Sequence, residues 1–180
     1  MKRVAVIGCC GAGKSTFSRR LQEITGLPVH HLDRLLWRPG WVQTPSEEFR
    51  ASCRAVYAEP EWIVDGNYTS TLEERLARAD TVVFLDYSTA LCFGRVLRRT
   101  WRGRGTNRPD VADGCIERFD REFLLYVLRF RTRMRPRLMR ILRAADPSLN
   151  IHIARGPGEA EDILEKFAAS RTDRGLPSPR

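Results

Sequence analysis

The sequence predicts an α/β fold in which a parallel sheet carries helices on both faces. Short apolar runs alternate with segments of helical periodicity along the 180 residues, and this alternation is typical of strand–helix–strand units. The run at 82–85 is apolar throughout, as expected for a parallel strand buried on both faces. A glycine-rich turn joins the first apolar run to the first helical segment. We therefore expect a parallel sheet of five strands within a single domain.

The predicted elements follow one another without an internal repeat. A strand at 4–7 leads through the glycine-rich turn into a helix that ends near Gly26. Thr44 or Ser46 is expected to cap the next helix, which stops before Pro60. The long arginine-rich helix is expected to bend near Pro136. The other predicted strands are 29–32, with Asp33 at its end, 62–65, 81–86 and 149–153, and the other predicted helices are 70–79, 89–99, 116–145 and 159–169.

The chain is strongly basic, with a formal net charge of +9 and a pI of about 9.9. Because it has only three lysines, this charge is almost entirely arginine, which suits either a nucleic acid or phosphorylated small molecules. No apolar run is long enough to span a bilayer, and the first is too short for a signal-peptide core, so we expect a cytoplasmic protein. The five cysteines lack C-x-x-C spacing, which argues against a disulfide framework and a zinc site.

The glycine-rich turn at 8–15 matches the pattern G-x-x-x-x-G-K-[ST] in its required strand–helix context. Its glycines let backbone N–H groups converge on an anion, and the helix N-terminus adds positive charge. We predict that it binds ATP, with Lys14 on the β- and γ-phosphates and the Ser15 hydroxyl on Mg²⁺. A turn that binds nothing is disfavoured because motif and context agree. The predicted nucleotide-binding residues here are Gly8, Gly11, Ala12, Gly13, Lys14, Ser15 and Thr16.

Three acids follow predicted strands, at the edge where parallel sheets bind ligands. We predict that Asp65 faces the Mg²⁺–triphosphate, the alternative being an Asp-Gly turn without a ligand. Asp33 lies where a phosphoryl acceptor should bind and would take a proton or hydrogen bond from its hydroxyl. A helix-cap role for Asp33 stays open. Asp86 would either pair with an arginine or face the metal.

Arginines form two groups in the sequence. The first lies before and inside the basic, glycine-rich segment, 100–118, which we predict to be a lid. There we predict that Arg95 and Arg99 stabilise the transferring phosphoryl group, the alternative being a solvated basic surface. The second group, at 129–143, alternates with apolar residues. It indicates an amphipathic helix with a solvated basic side, or a surface for a nucleic-acid backbone, although no recognition motif accompanies it.

Seven segments match the pattern of one known family: 8–15, 24–29, 31–33, 37–41, 62–68, 108–110 and 114–115. Together they resemble the adenylate-kinase-related P-loop proteins often labelled DNA topology modulation proteins. The resemblance implies the nucleoside-monophosphate-kinase architecture, with an arginine-bearing lid, ATP binding and kinase activity. It places Arg155 and Gly156, after the fifth strand, in the loop that holds the adenine ring. It also implies an acceptor-side region at 33–60.

Two departures from adenylate kinases bear on the acceptor. Asn67 and Tyr68 follow Asp65-Gly66 where adenylate kinases look like D-G-F-P-R, so the arginine for a monophosphate is absent there. Asp33 resembles the acid of kinases that phosphorylate a hydroxyl, such as shikimate kinase. We therefore predict a Mg²⁺-ATP-dependent kinase within 1–169, acting on a nucleotide, a nucleoside or another hydroxyl compound, with a flexible tail at 170–180. The alternative is a nucleic-acid-associated regulator that uses ATP as a switch.

Overall fold

A computed structural model of the chain describes residues 1–103, 105–106 and 110–172. Its main sheet has five parallel strands in the order β2-β5-β1-β6-β7, and a two-stranded antiparallel hairpin, β3–β4, stands apart from it. The predicted fold class is therefore confirmed. The strands are β1 (Arg3–Gly8), β2 (Val29–His31), β3 (Trp37–Arg38), β4 (Val42–Gln43), β5 (Trp62–Asp65), β6 (Thr81–Leu85) and β7 (Asn150–Ala154).

Helices flank the main sheet and account for most of the remaining described residues. None of them has the length and apolar character needed to cross a membrane within the described part of the chain. A π-helical segment, Phe130–Met134, joins the sixth helix to the seventh. The helices are α1 (Lys14–Thr25), α2 (Leu32–Leu36), α3 (Ser46–Ala58), α4 (Thr69–Leu76), α5 (Thr89–Arg102), α6 (Arg121–Arg129), α7 (Arg135–Ala144) and α8 (Pro157–Thr172).

The three central strands are buried on both faces, which explains their continuous apolar character. Val4, Val6 and Ile63 are fully buried, as the helices on either side require. In the parallel register Val6 lies opposite Asp65 on β5, and Gly8 lies opposite Leu85 on β6. The carboxyl ends of these strands consequently meet at one edge of the sheet, where the glycine-rich loop begins.

The structure differs from the predicted elements on the acceptor side. The second strand ends at His31, because Leu32 begins α2 and places Asp33 in its first turn. The segment after α2, for which no strand was predicted, contains the hairpin β3–β4. Neither predicted cap residue caps α3, since Pro45 occupies the cap position without a side-chain hydrogen bond. The Thr44 hydroxyl donates instead to the Leu35 carbonyl at 3.0 Å.

The long arginine-rich helix begins later than predicted, and its regular geometry is interrupted just before Pro136, close to the predicted position. It starts at Arg121, where Asp120 caps α6 by accepting a 3.0 Å hydrogen bond from the Phe123 N–H. The irregularity is the π-helical segment, and Pro136 sits in the first turn of α7, a position that tolerates proline. At the other end of the chain α8 continues to Thr172, and the predicted tail residues 173–180 lie outside the described residues.

Candidate active site

The loop between β1 and α1, which is predicted to bind phosphate and is here called the phosphate loop, depends on glycine at two positions. Gly11 has a φ of 85°, and a Cβ there would lie 2.3 Å from the Cys92 carbonyl oxygen of α5. Gly8 has a φ of 148°, and a Cβ there would lie 2.6 Å from the Leu85 carbonyl oxygen. Both contacts are with backbone atoms that cannot move aside cheaply. The close packing of the loop against β6 and α5 therefore requires the absence of side chains.

Lys14 reaches back across this loop from the first turn of α1. Its Nζ donates to the Gly8 carbonyl at 3.0 Å and to the Cys9 carbonyl at 3.3 Å. Burial by itself lowers the pKa of Lys14, but the neighbouring Cys10, Asp33 and Asp65 outweigh it and raise the pKa above its usual value. The ammonium therefore stays charged at neutral pH, next to the loop that the motif assigns to phosphate.

Asn67 clamps the start of the loop from the neighbouring strand end. Its Oδ1 accepts the Gly8 N–H at 2.9 Å, and its Nδ2 donates to the Gly8 carbonyl at 2.8 Å. Nδ2 also lies 3.4 Å from the Tyr126 hydroxyl on α6. The sequence indicated Asn67 only as a departure from the adenylate-kinase pattern, and its polar side chain after a buried strand was the available signal.

Asp65 is nearly fully buried at the end of β5 and pairs with His31. The two residues lie side by side in the β2–β5 register, and His31 Nδ1 donates to Asp65 Oδ2 at 2.7 Å. Burial lowers the pKa of His31, but the hydrogen bond and charge of Asp65, with the charge of Asp110, raise it above its usual 6.5 overall. Asp65 therefore favours the protonated form of the histidine beside the predicted metal carboxylate.

Asp33 pairs with an aromatic residue of the neighbouring loop. The Tyr68 hydroxyl donates to the Asp33 carboxylate. Burial and the charge of Asp33 raise the pKa of Tyr68, so its phenol remains a hydrogen-bond donor. The Tyr68 ring packs edge-on against Phe49 of α3, with centroids 5.1 Å apart. This contact joins α3, α2 and the loop after β5 around one carboxylate.

Two tryptophans, Trp37 and Trp41, lie on the hairpin β3–β4 and the turn between its strands. Trp37 and Trp41 pack edge-on, with ring centroids 5.5 Å apart. The Trp41 indole N–H donates to the Ile116 carbonyl at 2.8 Å, which connects the hairpin to the end of the predicted lid. The two tryptophans therefore stabilise the hairpin and attach it to the segment that contains Ile116.

A carboxylate that the sequence did not assign reaches the predicted metal ligand. The Ser15 hydroxyl donates to Asp110 Oδ2 at 3.0 Å, across 95 residues of chain. Asp110 belongs to a segment that carries the family resemblance, yet the sequence offers no local signal for this contact.

Arg95 lies beside the phosphate loop on α5. Its guanidinium reaches the Ala12 carbonyl at 3.5 Å and lies over the Tyr87 ring, 5.7 Å from the centroid. Arg95 lines a cleft of about 190 Å³ between the loop, α5 and the start of α8. The other lining residues are Ala12, Gly13, Thr16, Phe17, Arg20, Leu85, Tyr87, Pro157, Ala160, Glu161 and Leu164.

The remaining predicted arginines have separate surroundings. Arg99 Nε donates to Glu117 at 3.1 Å, and the Thr100 hydroxyl donates to the same carboxylate. Arg155 is exposed, and its backbone N–H donates to the Glu159 carboxylate at 3.0 Å. Gly156 lies just before α8. The structure thus places Arg95 at the loop and Arg99 with a buried acid. Two predicted lid arginines, Arg104 and Arg108, lie outside the described residues.

Asp86 pairs with an arginine, which is one of the two roles predicted for it. Arg135 of α7 donates to both carboxylate oxygens at 2.7–2.9 Å. Among the described residues no group of three His, Cys, Asp or Glu side chains could hold a metal. The hydroxyl of Ser15 and the carboxylate of Asp65 nevertheless fit Mg²⁺, which prefers oxygen ligands and keeps several waters when phosphates complete its shell.

The sheet order, the glycine-dependent loop and the acids at its edge define the class of fold: the chain has the fold of P-loop kinases of the nucleoside-monophosphate-kinase type. A shikimate kinase from Acinetobacter baumannii in complex with shikimate is similar with a TM-score of 0.56 and 17% identity, over 98% of this chain and 96% of that chain. A shikimate kinase from Aquifex aeolicus is similar at 0.53 and 15%, over 97% and 98%.

A gluconokinase from Sinorhizobium meliloti is similar with a TM-score of 0.50 and 15% identity, over 97% of this chain and 98% of that chain. No family model matches the sequence, and no curated protein is similar to it. At these identities the likeness to solved structures shows the fold.

Proposed function

We propose that this chain is a Mg²⁺-dependent kinase that transfers the γ-phosphoryl group of ATP to a hydroxyl group of a small molecule. The observation that carries the proposal is the convergence of three groups at one edge of the sheet. Lys14 donates to two carbonyls of the phosphate loop. Burial lowers its pKa, but Cys10, and after it Asp33 and Asp65, raise the pKa overall. A cation for phosphate and two carboxylates are the parts that phosphoryl transfer to a hydroxyl requires.

The nucleotide would lie along the loop and the cleft beside it. The loop backbone and Lys14 would hold the β- and γ-phosphates. The cleft between the loop and α8 would hold the nucleoside, with Arg95 at its side. Arg155 and Gly156, which come directly before the lining residue Pro157, would contact the adenine ring. Thr16 lines this cleft and follows the loop directly, so it would contact the nucleotide on the side away from the acceptor.

The Ser15 hydroxyl would hold Mg²⁺. The Asp65 carboxylate would face the ion, either directly or through a water molecule. When bound, the ion would supply positive charge that stabilises the negative charge developing on the phosphate oxygens. His31 orients Asp65 through the 2.7 Å hydrogen bond, so the carboxylate does not have to find its position when the nucleotide arrives. Asp65 and Ser15 therefore combine a preorganised carboxylate with a hydroxyl at the start of α1.

Asp33 would act on the acceptor. The acceptor hydroxyl loses its proton to the Asp33 carboxylate while its oxygen forms a bond to the γ-phosphorus. The bond from that phosphorus to the β–γ bridging oxygen breaks, and ADP leaves. Tyr68 orients Asp33 through its hydroxyl, and Arg95 and Arg99 would stabilise the charge on the transferring group. For Arg99 this role requires that its pair with Glu117 opens.

Membership of the DNA topology modulation family is part of the same proposal and is supported by the segments that resemble that family. The alternative role on nucleic acid has one supporting observation, six exposed arginines along α6, the π-helical segment and α7. Such binding would weaken steeply with salt and depend on these residues. They are Arg129, Arg131, Arg133, Arg137, Arg140 and Arg143.

The decisive experiment measures ADP formation from Mg²⁺-ATP with a panel of sugars, sugar acids, cyclic alcohols, nucleosides and nucleotides. We expect at least one acceptor to raise the rate well above the basal ATPase rate, and Lys14→Ala to abolish that increase. Lys166→Ala is the matched control, because Lys166 is exposed on α8, away from the loop. If the whole panel leaves the basal rate unchanged, the kinase proposal is wrong.

A further inference from the structure

We propose that Asp110 is a positioning residue for the Ser15 hydroxyl and thereby favours the magnesium complex of ATP over free ATP. The proposal rests on the magnesium–ATP site proposed above. It starts from the 3.0 Å hydrogen bond that Ser15 donates to Asp110 Oδ2. A hydroxyl has one proton and two lone pairs, so a proton committed to Asp110 leaves the lone pairs for a cation. Asp110 would thus set the orientation in which Ser15 can ligate Mg²⁺.

Asp110 is the first residue of a segment, residues 110–117, that is here called the docked segment. Contacts of the rest of this segment hold Asp110 in place. This segment is hydrogen-bonded to the hairpin β3–β4 on the acceptor side. The Gly40 N–H donates to the Gly114 carbonyl at 3.0 Å, and the Trp41 indole donates to the Ile116 carbonyl at 2.8 Å. The position of Asp110 is therefore supported by contacts that are independent of Ser15.

The far end of the docked segment is anchored as well. Glu117 is almost fully buried and accepts hydrogen bonds from Arg99 and Thr100 of α5. The docked segment thus connects the hairpin to α5 and brings one carboxylate to the first turn of α1. A carboxylate supported in this way can orient a neighbouring hydroxyl at little further entropic cost.

The negative charge of Asp110 explains why the site would prefer the magnesium complex of ATP to free ATP. The Asp110 carboxylate lies within hydrogen-bond distance of the Ser15 hydroxyl that is proposed to hold Mg²⁺. A negative charge at this place repels the bare triphosphate and attracts its magnesium complex. Removing the Asp110 charge should therefore weaken binding of Mg²⁺-ATP while leaving binding of free ATP unchanged or stronger.

The test compares ATP affinity by calorimetry in excess Mg²⁺ and in EDTA. We expect Asp110→Ala to weaken Mg²⁺-ATP binding about tenfold without weakening free ATP binding. Asp110→Asn removes the charge but keeps an oxygen that can accept the Ser15 proton, so we expect a smaller loss of Mg²⁺-ATP affinity, within about threefold of wild type. Asp113→Asn, an exposed position of the docked segment, is the control and should change neither affinity.

Equal changes in both conditions, or a loss in Asp110→Asn as large as in Asp110→Ala, would overturn the inference. Thermal unfolding of each variant shows whether the chain is folded, and if Asp110→Ala is not, the near-isosteric Asp110→Asn with Asp110→Glu decides in its place. Asp110→Glu keeps both the charge and the acceptor and should preserve the preference for Mg²⁺-ATP. If the wild-type chain binds no Mg²⁺-ATP at all, the proposed function fails and not merely the role of Asp110.

Discussion

His31 and Asp65 form a 2.7 Å hydrogen-bonded pair at the carboxyl ends of neighbouring parallel strands. The carboxylate is 5% and the histidine 13% exposed in their side chains, so water contributes little to satisfying either group. The pair therefore joins the stability of the sheet edge to the orientation of the carboxylate proposed to face the metal.

This pair predicts how stability changes with pH. The pKa of His31 in the folded chain is raised above its usual 6.5 by Asp65, despite the opposing effect of burial. Its contribution to folding is therefore complete below about pH 6.5 and is lost as the pH rises through the folded pKa. We expect the difference in unfolding free energy between wild type and His31→Gln, measured by urea unfolding, to shrink as the pH rises.

His152 is the internal control for that experiment because its pKa is shifted the other way. Burial, with the charge of Lys166, lowers the pKa of His152 below its usual value. Its neutral form stabilises the folded chain above pH 6.5, and this contribution is lost as the pH falls through the folded pKa. The difference in unfolding free energy between wild type and His152→Gln should therefore shrink as the pH falls. Equal slopes for the two variants would contradict this account.

The Asn67 clamp on Gly8 predicts a loss of both stability and ATP affinity in Asn67→Leu. Leucine has a similar volume but leaves the buried Gly8 N–H without its partner. An unsatisfied buried donor costs about 1–3 kcal/mol in unfolding free energy. We also expect the phosphate loop to lose its preorganised shape, so that ATP binding measured by calorimetry weakens several-fold.

Asn150→Leu provides the comparison for the clamp. Asn150 is exposed, and its side-chain amide donates to a single carbonyl, that of Asp80, at 3.3 Å. We expect its replacement to change the unfolding free energy by less than about 0.5 kcal/mol and ATP affinity not at all. Equal losses in the two variants would show that the clamp on Gly8 has no special role.

Gly11→Ala tests whether the loop geometry controls nucleotide binding. The added Cβ would clash with the Cys92 carbonyl at 2.3 Å, and alanine disfavours a φ of 85°. We expect a lower melting temperature and no measurable ATP binding. Gly158→Ala is the matched change in α8, where a Cβ would meet nothing within 4 Å, and it should be neutral or slightly stabilising. Retained ATP binding in Gly11→Ala would contradict the proposed loop geometry.

Tyr68→Phe tests the pairing of Asp33 with its phenol. The substitution removes the hydrogen-bond donor that orients the carboxylate but keeps the ring packed against Phe49. Once an acceptor is known, we expect kcat to fall about tenfold with little change in KM for ATP, since Asp33 is proposed to act on the acceptor alone.

Tyr57→Phe is the corresponding control for a buried hydroxyl distant from the phosphate loop. The hydroxyl groups of Tyr57 on α3 and Thr71 on α4 form a 3.2 Å hydrogen bond. We expect it to lower the unfolding free energy by about 1 kcal/mol and to leave kcat unchanged. A tenfold fall in kcat for both variants would point to general destabilisation as its cause.

The strands, the phosphate loop and most helix positions could be predicted because their signals are local. Buried parallel strands have continuous apolar runs, and a loop that curls around an anion needs glycines at fixed spacing. The short acceptor-side elements α2 and β3–β4 could not be predicted, since each has few residues and depends on contacts with other parts of the chain. The hairpin, for example, is hydrogen-bonded to residues 114 and 116.

The sequence by itself determined which residues form the loop and which acids end the strands, because both depend on neighbours along the chain. Only the tertiary structure decided their partners. Asp65 pairs with His31 across 34 residues, Gly8 with Asn67 across 59, and Ser15 with Asp110 across 95. Such pairs form only when the sheet aligns the strand ends and distant segments dock beside them, so no local pattern encodes them.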